Sequence, residues 1–557
     1  MSLSELRGRW VLLDFWTGCC GNCLHIIDEL GPLEAKYHDV LTVIGVHSPK
    51  FAHERADDTV RAAVERNALT HPVVNDPTLG LWQQYAVKAW PTLVLIDPDG
   101  YVVAQAAGEG QVSALDMTIA DLSPRYNLRR GDEPYTAPAP EPSTLRFPAK
   151  AIQLSSGNLL VADAGHHQLV ELDGDTVVRR FGDGTRGRSD EPLRFADPNG
   201  LTLLGDRVFV ADTANHLLRR IRLSDGAADT IDLAHELRDA RTVTGPIPSV
   251  LSPWDVAWWP AIGKLVVAAA GVHLLLAVDP DTGATEVLAG TTVEGLRDGP
   301  ALDGWLAQPS GLAVDGDRIW FVDSETSALR YLDSAGNLTT VVGEGLFDFG
   351  HVDGPAKDAR LQHPLGVSLL ADDSVVVLDT YNGAVRRYDP VTDEVTTLAT
   401  DLREPSGAVL VGGELVVVES AAHRLVRPVP AATLVTGTPE HAARPVMALA
   451  PGAVTLEIRF QPAPGRKLDE RYGPAQTLTV SASPEELLHS GAGEFTTLSR
   501  GLVLAERGTG VLQVVAQAAS CDIGGEHPAC YLARQDWGVP IEITPGGARR
   551  VELVLLG

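Results

Sequence analysis

Residues 9–23 read RWVLLDFWTGCCGNC: an apolar run rich in strand formers, two small residues, then three cysteines within five positions. The run at 9–16 is too continuous for a half-exposed strand and predicts a buried one. A helix-compatible stretch, CLHIIDELGPLEAKYH, follows at 23–38, and a second apolar run, LTVIGVH, at 41–47, completing a β-α-β unit. Beyond it, DDTVRAAVERNA (57–68) predicts a helix, TLVLIDPDGYVVAQAAG (92–108) a strand pair turning at Pro98-Asp99-Gly100, and SALDMTIADLSPRY (113–126) a last helix. The order βαβαββα over residues 1–126 is an α/β domain whose first strand hands over to a helix at the cysteines.

That handover is where thiol chemistry is favoured. Unpaired amides and the dipole at a helix N-terminus stabilise a thiolate, which makes Cys20 the candidate nucleophile of a Cys20-Gly21-Asn22-Cys23 pair. Cys23 lies about one helical turn further in and is the candidate resolving thiol. The alternatives are a structural zinc clip, which needs four converging ligands and finds no second suitably spaced pair (His25 is too near in sequence), or two inert thiols. Neither a metal nor a cofactor is expected. Cys19 reads either as a partner in an alternative disulfide or as a small buried thiol.

The segment resembles thioredoxin. Asp14, Phe15, Trp16, Cys20, Gly21 and Cys23 fall on the positions of the family's D-F-W-A-x-W-C-G-P-C pattern. The resemblance implies that Asp14 is the buried acid that relays protons to the resolving thiol. It also implies that Trp90-Pro91-Thr92 is the cis-proline loop beside the disulfide. Cys19 stands in place of the family's tryptophan and Asn22 in place of its proline, which leaves the direction of electron flow open.

The whole chain is longer than one core: 557 residues suggest several units. Hydrophobic residues at 44% and charged residues at 21% are the balance of a folded globular protein. Lys plus Arg number 45 against 73 Asp plus Glu, a formal charge of −28, which disfavours nucleic-acid partners. No run of about 18 apolar residues predicts a membrane span, and the opening MSLSELRGRWVLLDFW lacks signal-peptide order, so a cytoplasmic location, no membrane partner and a monomer are expected.

Residues 127–146, with Pro134, Pro138, Pro140 and Pro142, read as a Pro-rich linker. From 147 to 434 the chain repeats. Six segments begin near Pro148, Pro198, Pro253, Pro309, Pro364 and Pro405 and reach a second strand: NLLVAD, RVFVAD, KLVVAA, RIWFVD, SVVVLD and ELVVVE. These end at Asp163, Asp212, Ala268, Asp323, Asp379 and Glu419 in turn, and an alternating third strand follows. Such units bury both faces only by stacking radially, which predicts a six-bladed β-propeller. The Pro-x-Gly openings at 198, 309, 364 and 405, with DTANHLLR (212–219) and DTYNGAVR (379–386), resemble the NHL repeat.

A ring of acids at 163, 212, 323 and 379 invites a metal or catalytic reading. Recurrence at one place in each blade favours a structural one, the carboxylates bonding turn amides beside the third strand. His166, His167, His216 and His423 are read as turn residues, and Arg219, Arg220, Arg330, Arg386, Arg387 and Arg424 as partners of blade acids. From 435 to 557 alternating strands without the acid predict a small β-sandwich-like domain. Cys521 and Cys530 bracket CDIGGEHPAC, where a local disulfide and two free thiols are equally open readings.

The order of thioredoxin-like domain, NHL propeller and small β domain resembles the NHL repeat-containing protein 2 family, in a soluble protein. The activity expected is thiol-disulfide exchange on a protein substrate by Cys20 and Cys23, with an upstream reductant and with the propeller as an interaction platform. Asp14 and Pro91 would serve as site residues, and Cys19, Asn22, Trp16 and Trp90 as auxiliary ones. The alternative is a non-enzymatic scaffold or redox-sensing module. A propeller enzyme would need a convergent polar set in the channel, and none stands out from the repeat.

Overall fold

The computed structural model describes residues 2–131, 142–239, 251–428, 440–441, 446–462, 466–468, 476–523 and 530–556. Prolines 134, 138 and 140 of the expected linker lie outside them. Two compact units form: residues 1–140 with 443–557, and residues 141–442.

In the first unit, strands β1 (Trp10–Trp16), β2 (Leu41–His47), β3 (Val73–Asn75), β4 (Thr92–Ile96) and β5 (Val102–Ala107) make one sheet in the order β3-β2-β1-β4-β5. β1 pairs with β2 in parallel and with β4 antiparallel, and all seven of its residues are buried, as the unbroken apolar run requires. Helices α1 (Gly21–Lys36), α2 (Asp57–Arg66), α3 (Gly80–Gln84) and α4 (Val112–Leu122) complete the domain. Ile26, Leu30 and Leu33 of α1 and Leu115 and Ile119 of α4 pack on Leu12, Val43, Leu93 and Leu95 of the sheet. This is the thioredoxin fold. β3 and α3 are additions to the expected order: three and five residues between prolines leave too little periodicity to read.

Residues 127–131, placed in the linker by composition, run back along this domain. Arg129 N donates to Gly8 O at 2.7 Å, and Arg9 Nη1 to Gly131 O at 2.9 Å.

Residues 446–556 form a two-sheet sandwich. One sheet is built on the long pair 508–522 and 530–543, the other runs 488–490, 499–504, 452–461, 550–556. Leu456, Leu478, Val514, Trp537 and Leu553 fill the space between, and Ala89 of the thioredoxin-like domain joins that core. Cys521 lies opposite Cys530 in the ladder and is disulfide-bonded, which decides between the two readings left open.

The second unit is a ring of six sheets. The blades begin at Pro148, Pro198, Pro253, Pro309, Gly366 and Pro405; the first three are four antiparallel strands in sequence order, and the fourth and fifth add to their four a short outer strand from the preceding segment, Gly299–Pro300 and Gly354–Pro355. The sixth has three among the described residues, Pro405–Val411, Glu414–Glu419 and Arg424–Val426. Val416 and Val418 of blade six pack on Val161 and Val170 of blade one, and Phe147 N donates to His423 Nδ1 at 2.9 Å, closing the ring.

The acids are structural, but they bond elsewhere than expected. One oxygen of Asp163, Asp212, Asp323, Asp379 and Glu419 accepts the amide of Arg146, Ala196, Ala307, Gln362 and Arg403 respectively, two residues before each blade's proline or proline-equivalent, at 2.6–2.8 Å. The backbone amides they hold therefore lie in the entry loop of the same blade, while the turn and third strand meet the second oxygen through side chains, among them His166, Asn215 and Asn382. The other oxygen of Asp212, Asp323 and Asp379 meets the fully buried Arg219, Arg330 and Arg386. In the third blade the equivalent residue is Ala269, one place beyond the Ala268 read from sequence.

The turn histidines do more than fill turns. His167, His216, His273 and His423 occupy left-handed backbone with φ of 51° to 58°, a region histidine tolerates better than most side chains. Their Nδ1 atoms accept the amides of Asp197, Ser252, Gln308 and Phe147, each belonging to the next blade.

The axis of the ring is filled. Beside Pro-x-Gly in four blades, the first has Pro148-Ala149-Lys150 and the third Pro253-Trp254-Asp255. Lys150 Nζ lies 3.5 Å from Asp255 Oδ2 and donates to Leu365 O at 2.8 Å, while Leu312 N donates to Asp255 Oδ2 at 2.9 Å. The glycines leave room for this pair: a Cβ on Gly200 would lie 2.2 Å from Asp255 Oδ1, and one on Gly407 3.0 Å from Lys150 Cδ.

Candidate thiol site

β1 ends at Trp16, the turn Thr17-Gly18-Cys19 follows, and Cys20 is the N-cap of α1 with φ −84° and ψ 106°. The first amides of a helix have no intrahelical acceptor. Here Cys23 N points at the sulfur of Cys20, at 3.3 Å, as well as at its carbonyl, at 3.0 Å. Cys20 keeps 9% of its surface, whereas Cys23 keeps none.

Burial pushes the Cys23 thiol well above its ordinary pKa, and its hydrogen bond to Cys20 and the nearby Asp14 charge push the same way. The two sulfurs thus sit in opposed settings. One rests at a helix end with an amide turned toward it; the other is enclosed and keeps its proton.

Asp14 is fully buried on β1, and neither carboxylate oxygen has a hydrogen-bond partner among the described residues. Its pKa is raised to about 7, chiefly by desolvation; His71 pulls it down and Glu34 pushes it up.

Pro91 follows a cis peptide bond from Trp90. The antiparallel register Asp14↔Leu93, Phe15↔Thr92 sets this loop at the same end of the sheet as the Cys20 turn. Trp90 Nε1 donates to Ser48 O at 2.8 Å and its ring packs on Trp82 with centroids 4.5 Å apart. Gly108 N donates to Pro91 O at 2.9 Å, Gly110 N to Glu29 Oε1 at 3.3 Å, and His25 bonds Glu109, so the loop after β5 ties the proline loop to α1. Trp16 is fully buried against His47, with centroids 5.1 Å apart, and Asn22 is half-buried on the first turn of α1.

Cys19 turns toward a group the sequence reading missed. Glu54, buried in a short 3-10 turn (His53–Arg55), accepts from Thr17 Oγ1 at 2.7 Å, Cys19 N at 3.0 Å, Lys50 N at 3.0 Å and Phe51 N at 3.1 Å. The Cys19 thiol donates to its second oxygen at 3.6 Å. Of the two readings of Cys19, the buried thiol matches this placement. Nothing in the composition of FAHERADD marks Glu54, because its donors are mostly backbone amides. The second missed residue is Gln535 of the sandwich, which lies so close that a Cβ on Gly108 would fall 2.0 Å from its Oε1.

Residues 8–102 match the Thioredoxin-like family. The chain is 34% identical over 467 residues to Protein SUPPRESSOR OF QUENCHING 1, chloroplastic, of Arabidopsis thaliana, covering 75% of this chain and 44% of that protein. It is 35% identical over 442 residues to NHL repeat-containing protein 2 of Bos taurus, covering 71% of this chain and 60% of that protein. The chain therefore spans less than two thirds of the length of either relative. Its N-terminal part is 30% identical over 124 residues to Thiol-disulfide oxidoreductase ResA of Bacillus thuringiensis, covering 22% of this chain and 69% of that protein. With the thioredoxin fold and the six-bladed ring established, the chain is a redox-related thioredoxin-fold protein with an NHL-type propeller, a homologue of NHL repeat-containing protein 2.

Proposed function

We propose that this chain is a thiol-disulfide oxidoreductase in which Cys20 attacks a disulfide of a protein substrate and Cys23 resolves the resulting mixed disulfide. The observation that carries the reading is the opposed setting of the two sulfurs: a helix-capping Cys20 that keeps 9% of its surface and a fully enclosed, proton-holding Cys23 behind it. Asp14 serves as the proton acceptor for Cys23, and the Trp90-Pro91 loop forms the edge against which the substrate backbone lies. An upstream thiol reductant restores the dithiol. The propeller acts as a protein-interaction platform through its loops, since Lys150 and Asp255 occupy its axis. The net charge of −28 disfavours nucleic acid as a partner, and no helix of the described residues is long and apolar enough to cross a membrane.

The disulfide at Cys521 favours an oxidising compartment over the cytoplasmic location expected from the order of the opening residues and the lack of an apolar span, because glutathione keeps cytosolic thiols reduced. The test of the activity is mixed-disulfide trapping with Cys23→Ser in the full chain. A covalent adduct through Cys20, abolished by Cys20→Ser, supports it, and absence of any Cys20-dependent adduct refutes it.

A further inference from the structure

The mechanism above delivers a proton to Asp14 but gives it no way out. Around Gly45 three buried polar side chains have atoms without a partner among the described residues: both oxygens of Asp14, Nε1 of Trp16 and Nε2 of His71. Gly45 pairs directly with Asp14 across the β1–β2 ladder. A Cβ there would lie 2.9 Å from Trp16 Nε1 and 3.4 Å from His71 Nε2, so both nitrogens border the space that the glycine leaves. The other ring nitrogen of His71 lies 3.0 Å from Glu34 Oε1; the histidine is 3% exposed and the glutamate 25%. A line of ionisable groups thus leads from the enclosed Asp14 to the surface of α1.

We propose that His71 and Glu34 are the outlet through which Asp14 exchanges its proton with solvent, a single water linking Asp14 to His71 Nε2. The proposal rests on the thiol-disulfide reading and adds two positioning residues to it. In the reducing direction the Cys20 thiolate attacks the substrate disulfide, forming one S–S bond and expelling one thiolate. Cys23 then gives its proton to Asp14 and attacks the Cys20 sulfur. The second substrate thiolate leaves and takes a proton from solvent, so two electrons pass from the dithiol to the substrate. Asp14 passes its proton through the water to His71 Nε2, and the Nδ1 proton moves to Glu34 and out. Glu34 and the thiols face Asp14 from α1, and His71 faces it from the segment before β3. On β2, His47 packs on Trp16, and burial lowers its pKa, so it stays neutral and adds no charge.

The test uses 5,5′-dithiobis(2-nitrobenzoate) on the full chain by stopped flow. Its first thionitrobenzoate reports attack by Cys20 and its second reports resolution by Cys23. His71→Asn is expected to leave the first phase within about twofold, to slow the second at pH 7 by about tenfold, and to raise its pH midpoint, because His71 holds the Asp14 pKa down. Glu34→Gln is expected to slow the second phase while moving its midpoint down, since Glu34 pushes Asp14 up. A packing role would move both phases together or neither. Wild-type second-phase rates and midpoints in both variants would overturn the outlet and leave the oxidoreductase reading standing. Absence of the first phase in the wild-type chain would instead sink that reading. Should circular dichroism show His71→Asn unfolded, Glu34→Gln decides alone: a second phase slowed about threefold or more supports the outlet, and an unchanged one overturns it.

Discussion

Replacing Asp14 by Asn should make the thioredoxin-like domain more stable, and only at neutral and alkaline pH. The folded chain holds the Asp14 proton up to about pH 7, against an ordinary value of 3.8, because the carboxyl is enclosed and neither oxygen has a hydrogen-bond partner among the described residues. The unfolded chain releases that proton near pH 4. Between those values the folded state binds more protons than the unfolded one, so stability falls as pH rises and levels off above about 7. Roughly three units at about 1.4 kcal/mol each give a penalty of about 4 kcal/mol at full ionisation, of which about 2 kcal/mol accrues between pH 5 and pH 7 and about 3 kcal/mol between pH 5 and pH 8.5. Asn at position 14 lacks this slope. Hydrogen exchange of the β1 amides, corrected for intrinsic rates and measured at pH 5 and pH 8.5, isolates this domain from the propeller. The stabilisation of Asp14→Asn over wild type should grow by about 3 kcal/mol from the lower to the higher pH. A difference that is the same at both pH values, or a variant less stable at pH 8.5, would refute the claim that Asp14 is held neutral by burial.

Other variants probe the rest of the account. Lys150→Met strands the buried Asp255 charge on the propeller axis and should cost about 3–5 kcal/mol, lowering the propeller's calorimetric transition; adding Asp255→Asn should recover at least half of it. Arg330→Lys should cost roughly 2–4 kcal/mol, because a lysine cannot reach Asp323, Asp298 and the carbonyls of Trp305 and Arg297 together. Arg424→Lys, at a side chain 61% exposed, should cost under about 1 kcal/mol in the same denaturation assay. Glu54→Gln removes acceptors from buried amides, should destabilise by about 2–3 kcal/mol, and should make Cys19 reactive to iodoacetamide in the native protein, which mass spectrometry would detect.

What was legible in the sequence was what repeats or what one short segment determines. The run 9–23 specified a buried strand meeting a helix at Cys20, because an apolar run and a reactive pair both have local signatures. The blades were legible because six similar segments share a register. Groups brought together from distant segments were not legible. Glu54 reaches the Cys19 turn across 35 positions, and its donors are amides that every residue carries. His71 and Glu34 meet across 37 positions and carry no motif. The axial pair did leave a trace: two repeats have Lys150 and Asp255, of opposite charge, where four have glycine. The entry-loop role of the blade acids was missed because a carboxylate that ends a strand reads as a cap for the following turn, while the amide it satisfies lies 16 or 17 residues earlier.

In the proposed mechanism Cys20 is the reactive sulfur of the three. The reduced full chain, pulsed with iodoacetamide at pH 7 and mapped by tandem mass spectrometry, tests that directly. Carbamidomethylation should fall on Cys20, at a rate that Cys20→Ser abolishes, with Cys19 and Cys23 modified only after denaturation. Native labelling of Cys19 or Cys23 at a rate equal to or above that of Cys20 would contradict it.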